Sequence, residues 1–154
     1  MITAVDTNIL LDYLNSAEVH NEQSTQRLLE AGQEDGFVIS QTVYAELAPV
    51  FESFEDLNQF LETAGIDVSP SSERGQFTAG KAFLGYIRRR PALQCTEYGA
   101  TETASCERCG TQIRIRQHIV SDFLIGAHAL MHADRLLTRD RSYYRTYFPD
   151  LTLA

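Results

Sequence analysis

Four acidic residues, Asp6, Glu46, Asp122 and Asp140, stand where a folded chain can draw them together. Asp6 ends the short β-branched run of "MITAV", and Asp140 follows Leu136-Leu137-Thr138. Glu46 interrupts an otherwise apolar stretch, Val43-Tyr44-Ala45-Glu46-Leu47-Ala48, and Asp122 opens a strongly apolar one. Four carboxylates cannot share a confined pocket fully ionised without a counter-charge, because each repels the others. A hard divalent cation supplies that charge: Mg²⁺ and Mn²⁺ favour carboxylate and water oxygens. Such an ion activates a water and steadies the charge that develops in phosphoryl transfer. Each acid also has a plainer reading, Asp122 as a helix cap and Asp6 or Asp140 as a turn residue. Glu46, placed among apolar neighbours, is the hardest to explain that way.

The elements that must position these residues follow from periodicity. Residues 2–6 read as a buried strand, and Ile9, Leu10 and Leu14 follow at helical spacing. A second helix fits 19–29, with Gly32 near its end, and Phe37–Ser40 is the next strand. Gln41 or Thr42 is expected to cap a helix that Pro49 must bend or end. The stretch 54–64 is amphipathic, with Phe54, Leu57, Phe60 and Leu61 on one face and Gly65 as its stop. A short strand at Ile66–Val68 leads to a long helix from Glu73 to Arg90, ended by Pro91. Residues 120–133 form an apolar helix capped by Ser121 or Asp122, in which Gly126 and Ala127 permit close packing. Leu136–Thr138 is a strand, a turn carries Tyr143, Tyr144, Tyr147 and Phe148, and Leu151–Leu153 is a last strand. Strands alternating with helices predict an α/β fold of three layers, with a central, mostly parallel sheet covered on both faces. In such a sheet ligands bind beyond the carboxyl ends of the strands, the rim to which all four acids belong.

At 154 residues the chain is expected to be one domain, 1–154, able to bury its own core. No apolar run approaches the ~20 residues that span a bilayer, and the start lacks the marks of a signal peptide, so a cytoplasmic location is expected. The net charge of −8 argues at first against a polyanionic partner, but its distribution reverses the argument. Residues 1–80 carry 14 Asp/Glu against Arg27 and Arg74 alone, a balance of −12, whereas residues 81–154 carry 7 Asp/Glu against 11 Lys/Arg, a balance of +4. Arginine dominates that second group, and its planar fork suits phosphate. Solvated helix faces account for the same residues equally well.

Taken in order, "VDTNILLDYL", "SQTVYAELAPVF", "SDFLIGAHAL" and "LLTRDRSYYRTYFPDLTL" resemble the PIN-domain nucleases, specifically the VapC-like toxins of toxin–antitoxin modules. The resemblance covers almost the whole chain except 92–118. It implies a three-layer α/β/α fold, Mg²⁺- or Mn²⁺-dependent endonucleolytic cleavage of RNA, inhibition by a small cognate antitoxin, and a homodimer. The family's acidic quartet falls on Asp6, Glu46, Asp122 and Asp140, with Thr7 or Asn8 orienting the first and Thr138 lining the same pocket. Arg139, Arg141 and Arg145 are placed to hold the RNA backbone. Tyr143, Tyr144 and Tyr147 are better explained by core packing than by stacking on bases. His128 and His132 have the i,i+4 spacing of a shared metal site, but a helix this apolar more often simply buries them.

The stretch 92–118 looks like an insertion and needs its own account. Cys106-Glu107-Arg108-Cys109-Gly110 has the form of a zinc-knuckle turn, and Cys95-Thr96-Glu97-Tyr98-Gly99 repeats it with Tyr98 in place of the second thiolate. With His118 the set becomes Cys95, Cys106, Cys109 and His118, enough for a structural Zn²⁺. Reduced thiols without metal are the competing reading. Three cysteines argue against a disulfide framework. Alternating Ile113-Arg114-Ile115-Arg116 suggests a strand with one basic face. The rival to a nuclease is a PIN-fold binding module that assembles with an antitoxin without turnover, and it leaves a cluster of like charges unexplained. A Mg²⁺-dependent phosphatase would need a second Asp beside Asp6, where Asp6-Thr7-Asn8 has none.

Overall fold

A computed structural model describes residues 1–32, 36–89, 93–94, 101–102, 104–105, 107–110, 112–113 and 120–154. The chain runs β1 (Ile2–Val5), α1 (Thr7–Leu14), α2 (Asn21–Gly32), β2 (Gly36–Ser40), α3 (Gln41–Leu47), a 3₁₀ turn (Ala48–Val50), α4 (Phe54–Thr63), β3 (Ile66–Ser69) and α5 (Glu73–Arg89). Four two-residue strands follow: β4 (Leu93–Gln94), β5 (Thr101–Glu102), β6 (Ala104–Ser105) and β7 (Gln112–Ile113). The chain then completes α6 (Val120–His132), β8 (Arg135–Leu137) and α7 (Arg141–Tyr147).

The central sheet has the order β3-β2-β1-β8, and every pair in it is parallel. Register is fixed by Ala4 opposite Val38 on one side of β1 and Leu136 on the other. Strands buried on both faces need apolar side chains in both directions. Ala4, Val5, Val38, Ile39, Leu136 and Leu137 supply them. The steps β1 to β2 to β3 proceed in one direction, and the return to β8 reverses it. Right-handed crossovers therefore place α1, α2 and α4 on one face and α5 and α6 on the other. This is a three-layer α/β/α arrangement. The described parts of the segment between α5 and α6 form two small antiparallel ladders, β4 with β5 and β6 with β7.

Local chemistry explains most boundaries and corrects some expectations. Ser40, rather than Gln41 or Thr42, caps α3, its hydroxyl accepting from the Val43 N–H at 3.2 Å. That helix gives way to the 3₁₀ turn at Ala48-Pro49, where proline removes a donor. Gly65 ends α4 with φ +64°, the left-handed conformation that glycine adopts without strain. Phe54 does not join the buried face of α4; it is 70% exposed, while Leu57 and Leu61 are buried. Residues 141–147 are the helix α7, not a turn, and the expected last strand is a single bridge from Leu153 to Leu136.

Phe123, fully buried on α6, is the hub of an aromatic cluster with Phe83, Tyr86, Tyr143, Tyr147 and Phe148. Gly126 lies one turn further along. A Cβ there would stand 2.5 Å from Phe148 and 2.9 Å from Tyr144. Gly126→Ala is expected to lower stability by roughly 1–2 kcal/mol, because overpacking outweighs the gain in helix propensity. A lower urea midpoint at unchanged slope is the measurement, and a midpoint at or above wild type refutes it.

Candidate active site

Asp6 leaves the sheet at the carboxyl end of β1. Its backbone N–H still donates to the Leu137 carbonyl of β8 at 3.0 Å, while its side chain enters the space above the strands. There Oδ2 accepts from Thr138 Oγ1 at 2.6 Å and from Asn8 Nδ2 at 2.8 Å. Thr138 in turn accepts from the Asp140 N–H at 3.0 Å, which ties the first residue of the turn after β8 to the third. Asp140 occupies the N-cap position of α7, yet its side chain makes no capping bond. Glu46, one residue from the end of α3, accepts a short hydrogen bond from the Thr7 hydroxyl. Asp122 stands in the first turn of α6.

Asp6, Glu46, Asp122 and Asp140 all border one cavity of about 210 Å³, together with Thr7, Asn8, Leu11, Tyr143 and Tyr144. Folding thus brings all four acids of the sequence reading to one place. Of the two residues expected to orient Asp6, the side chain that does so is that of Asn8. Asn8 holds Asp6, whereas the Thr7 hydroxyl serves Glu46 and the Thr7 backbone supports Asp6.

Burial raises the Asp6 carboxyl to about 6, opposed by the Thr138 hydrogen bond and reinforced by the charges of Asp122 and Glu46. Burial and the same acids push the Tyr143 and Tyr144 phenols up, so both stay protonated. Among the described residues no three Asp, Glu, His or Cys side chains stand close enough together, as placed, to hold a metal ion. The carboxylates line an open pocket instead. A water occupies about 30 Å³ of liquid, so the cavity admits a cation with several of its waters, as Mg²⁺ prefers. An all-oxygen acidic set whose buried member resists ionisation fits a hard dication, whose charge would offset the burial and, to a lesser degree, the repulsion that raise Asp6.

The basic residues are placed less uniformly. Arg139 forms an ion pair with Asp12 at 2.9 Å, Arg141 donates to the Leu153 carbonyl at 3.3 Å, and Arg145 is exposed on α7. Tyr143 and Tyr144 are buried walls of the pocket and members of the aromatic core. His128 is buried, stacked on His132 with ring centroids 4.7 Å apart, and burial lowers it to about 4. Cys95, Cys106 and His118 lie outside the described residues, as does 114–116 of the alternating stretch; Cys109 is exposed. Asp12 escaped the sequence reading. Its signal was the one-turn spacing from Asn8, which puts both on one face of α1.

An acid-lined pocket above the carboxyl edge of a four-stranded parallel sheet defines a class of α/β/α domain whose site lies beyond the strand ends. The chain belongs to the PIN domain family, whose model matches residues 3–149. Solved structures share the fold. VapBC2 from Rickettsia felis, bound to a DNA fragment from its promoter, aligns at TM-score 0.62 and 20% identity, covering 100% of this chain and 98% of that one. VapBC-1 from nontypeable Haemophilus influenzae aligns at 0.61 and 21%, covering 100% and 97%. VapC20 from Mycobacterium tuberculosis, a sarcin-ricin loop cleaving toxin, aligns at 0.55 and 11%, covering 94% of each. No curated protein matches the chain.

Proposed function

We propose that this protein is a Mg²⁺- or Mn²⁺-dependent endoribonuclease, the cytoplasmic toxin of a toxin–antitoxin module. The observation that carries the reading is the convergence of Asp6, Glu46, Asp122 and Asp140, from four separate elements, on one cavity. The same four residues would hold the ion. When bound, it neutralises charge building up on the scissile phosphate and lowers the cost of deprotonating water.

The chain's own residues do the rest. Thr138 and Asn8 fix Asp6, and Thr7 fixes Glu46, so two of the carboxylates are oriented before substrate arrives. A carboxylate of the quartet takes the proton from the attacking water. Arg141 and Arg145, exposed on α7 beside Tyr143 and Tyr144, offer cations to the RNA backbone. The likeness of fold to a sarcin-ricin loop cleaving toxin supports RNA as substrate.

An antitoxin segment has a place to dock on the opposite side of α1. A cavity of about 650 Å³ there is lined by Leu10, Tyr13, Leu28, Phe37, Phe60 and Ile66. Assembly of VapBC neighbours supports such a partner, and a homodimer accompanies it in this reading. Among the described residues no helix is long and apolar enough to cross a membrane.

The test is cleavage of defined RNAs by purified protein under Mg²⁺, Mn²⁺ and EDTA, with elemental analysis of the same preparation. Cleavage that needs either ion and stops in EDTA is expected. Equal cleavage in EDTA, or none with either ion, refutes the reading. Zinc at about one equivalent, lost on replacing each of Cys95, Cys106, Cys109 and His118 in turn, would assign the four to a structural site.

A further inference from the structure

Asp12 is 3% exposed and stands outside the acid pocket. Its Oδ2 accepts from Ser24 Oγ of α2 at 2.6 Å and faces Arg139 Nε at 2.9 Å. A neutral side chain would serve Ser24 equally well; the charge answers Arg139. Arg139 lies between Thr138, which holds Asp6, and Asp140, a member of the quartet. Its backbone N–H donates to Asn8 Oδ1 at 3.3 Å, and the other end of that amide holds Asp6.

Helix α1 therefore grips the turn after β8 at two points one helical turn apart, Asn8 on the backbone and Asp12 on the side chain. Arg27 of α2 adds a third hold, donating to the Thr138 carbonyl at 3.2 Å. We infer that the Asp12–Arg139 ion pair is a brace that positions Thr138 and Asp140 against Asp6, so that Arg139 serves the site from behind rather than by binding RNA. This inference deepens the nuclease reading above and rests on it for its kinetic consequence.

The pair is asymmetric: the Arg139 side chain is 35% exposed, whereas Asp12 is buried, so removing Arg139 leaves a buried charge uncompensated and removing Asp12 releases Arg139 and its turn to solvent. Residues that orient metal-binding carboxylates typically alter activity by about 10–100-fold when replaced. Asp12→Asn keeps the shape and the Ser24 bond while removing the charge, and Arg139→Gln removes the other partner. Each is expected to lower kcat about tenfold or more, with KM for RNA within about twofold of wild type. The double variant should be no slower than the slower single, because the two act as one unit. Arg139→Lys, which keeps the charge, should retain more of the rate than Arg139→Gln.

Amide hydrogen exchange supplies a readout that needs neither ion nor RNA. In Asp12→Asn the Arg139 and Asp140 N–H groups should lose protection while amides in β1 and β2 keep theirs. Unchanged protection at 139 and 140 would overturn the brace. So would a wild-type rate for Asp12→Asn combined with a raised KM for Arg139→Gln alone, which would return Arg139 to RNA binding. Were the wild-type protein to cleave no RNA, the nuclease reading would fall, and the exchange data would still decide the brace.

Discussion

Asp6→Asn is expected to lose about a thousandfold or more in RNA cleavage while becoming more stable than wild type in metal-free buffer at neutral pH. The loss follows from its position. Asp6 is the carboxylate on which Thr138 and Asn8 converge, and withdrawing its charge weakens cation binding where transition-state charge needs several kcal/mol of support. The gain follows from its burial. The carboxyl sits near 6 in the fold against an ordinary 3.8, so the folded state holds a proton that the unfolded chain releases. Stability from this group is complete below about pH 3.8 and is lost as pH rises through 6. At pH 7 the ionised Asp6 therefore costs up to about 3 kcal/mol, which a neutral isostere recovers in part.

His128 runs the opposite way. Its ring sits near 4 in the fold against 6.5, so its contribution is complete above pH 6.5 and is lost as pH falls toward 4. Between pH 4 and 6 the two groups oppose each other in wild type, and in Asp6→Asn the histidine contribution is no longer opposed by Asp6. Urea unfolding of both proteins in EDTA across this range measures the difference, which should grow with pH. Added Mn²⁺ should raise the melting temperature of wild type and not of the variant. A variant less stable than wild type at pH 7, or one cleaving within tenfold of it, would remove the basis for the site.

Much of this arrangement is legible in the residues. Asp6 and Asp140 mark the ends of short β-branched or leucine-rich runs, and parallel topology sends such ends to one rim. Glu46 betrays itself by standing in an apolar stretch. What escaped is tertiary. The one-turn spacing of Asp12 from Asn8 is its single local clue and does not by itself separate it from a solvent-facing helix residue, because its partner is 127 positions away in sequence. Residues 141–147 carry three tyrosines, which favour strands or packed turns by intrinsic preference. They form α7 because Tyr143 and Tyr144 bury themselves on the pocket wall, and packing overrides propensity. Phe54 reads as part of an apolar stripe, yet at the first position of α4 it projects beyond the layer that Leu57 and Leu61 enter. Arg139 shows the same limit from the other side, since charge patterning alone could not tell a cation offered to RNA from one already paired.

Phe123→Ala is expected to give the largest loss of stability, about 3–5 kcal/mol. Phe123 is fully buried, and its ring meets Tyr143 edge-on at 5.3 Å and 77°, Tyr147 at 5.4 Å and 67°, and Phe83 at 5.3 Å and 62°. Such pairs prefer tilted geometry and contribute beyond their buried area. Truncation removes the ring from every contact at once, and the neighbours are themselves rigid rings that cannot collapse into the space. Domains of this size have total stabilities of roughly 5–15 kcal/mol, so the variant retains a fraction of its margin. Phe123→Leu, which refills most of the volume, should lose less than half as much. The effect reaches the active site by a short path: Phe123 adjoins Asp122 in the first turn of α6 and packs on Tyr143, which walls the cavity on its other side. Loss of the ring should therefore loosen Asp122 and Tyr143 together, raising the Mn²⁺ concentration needed for half-maximal cleavage in the folded protein. Equal urea midpoints for Phe123→Ala and wild type would show that the cluster does not hold the two faces of the pocket together.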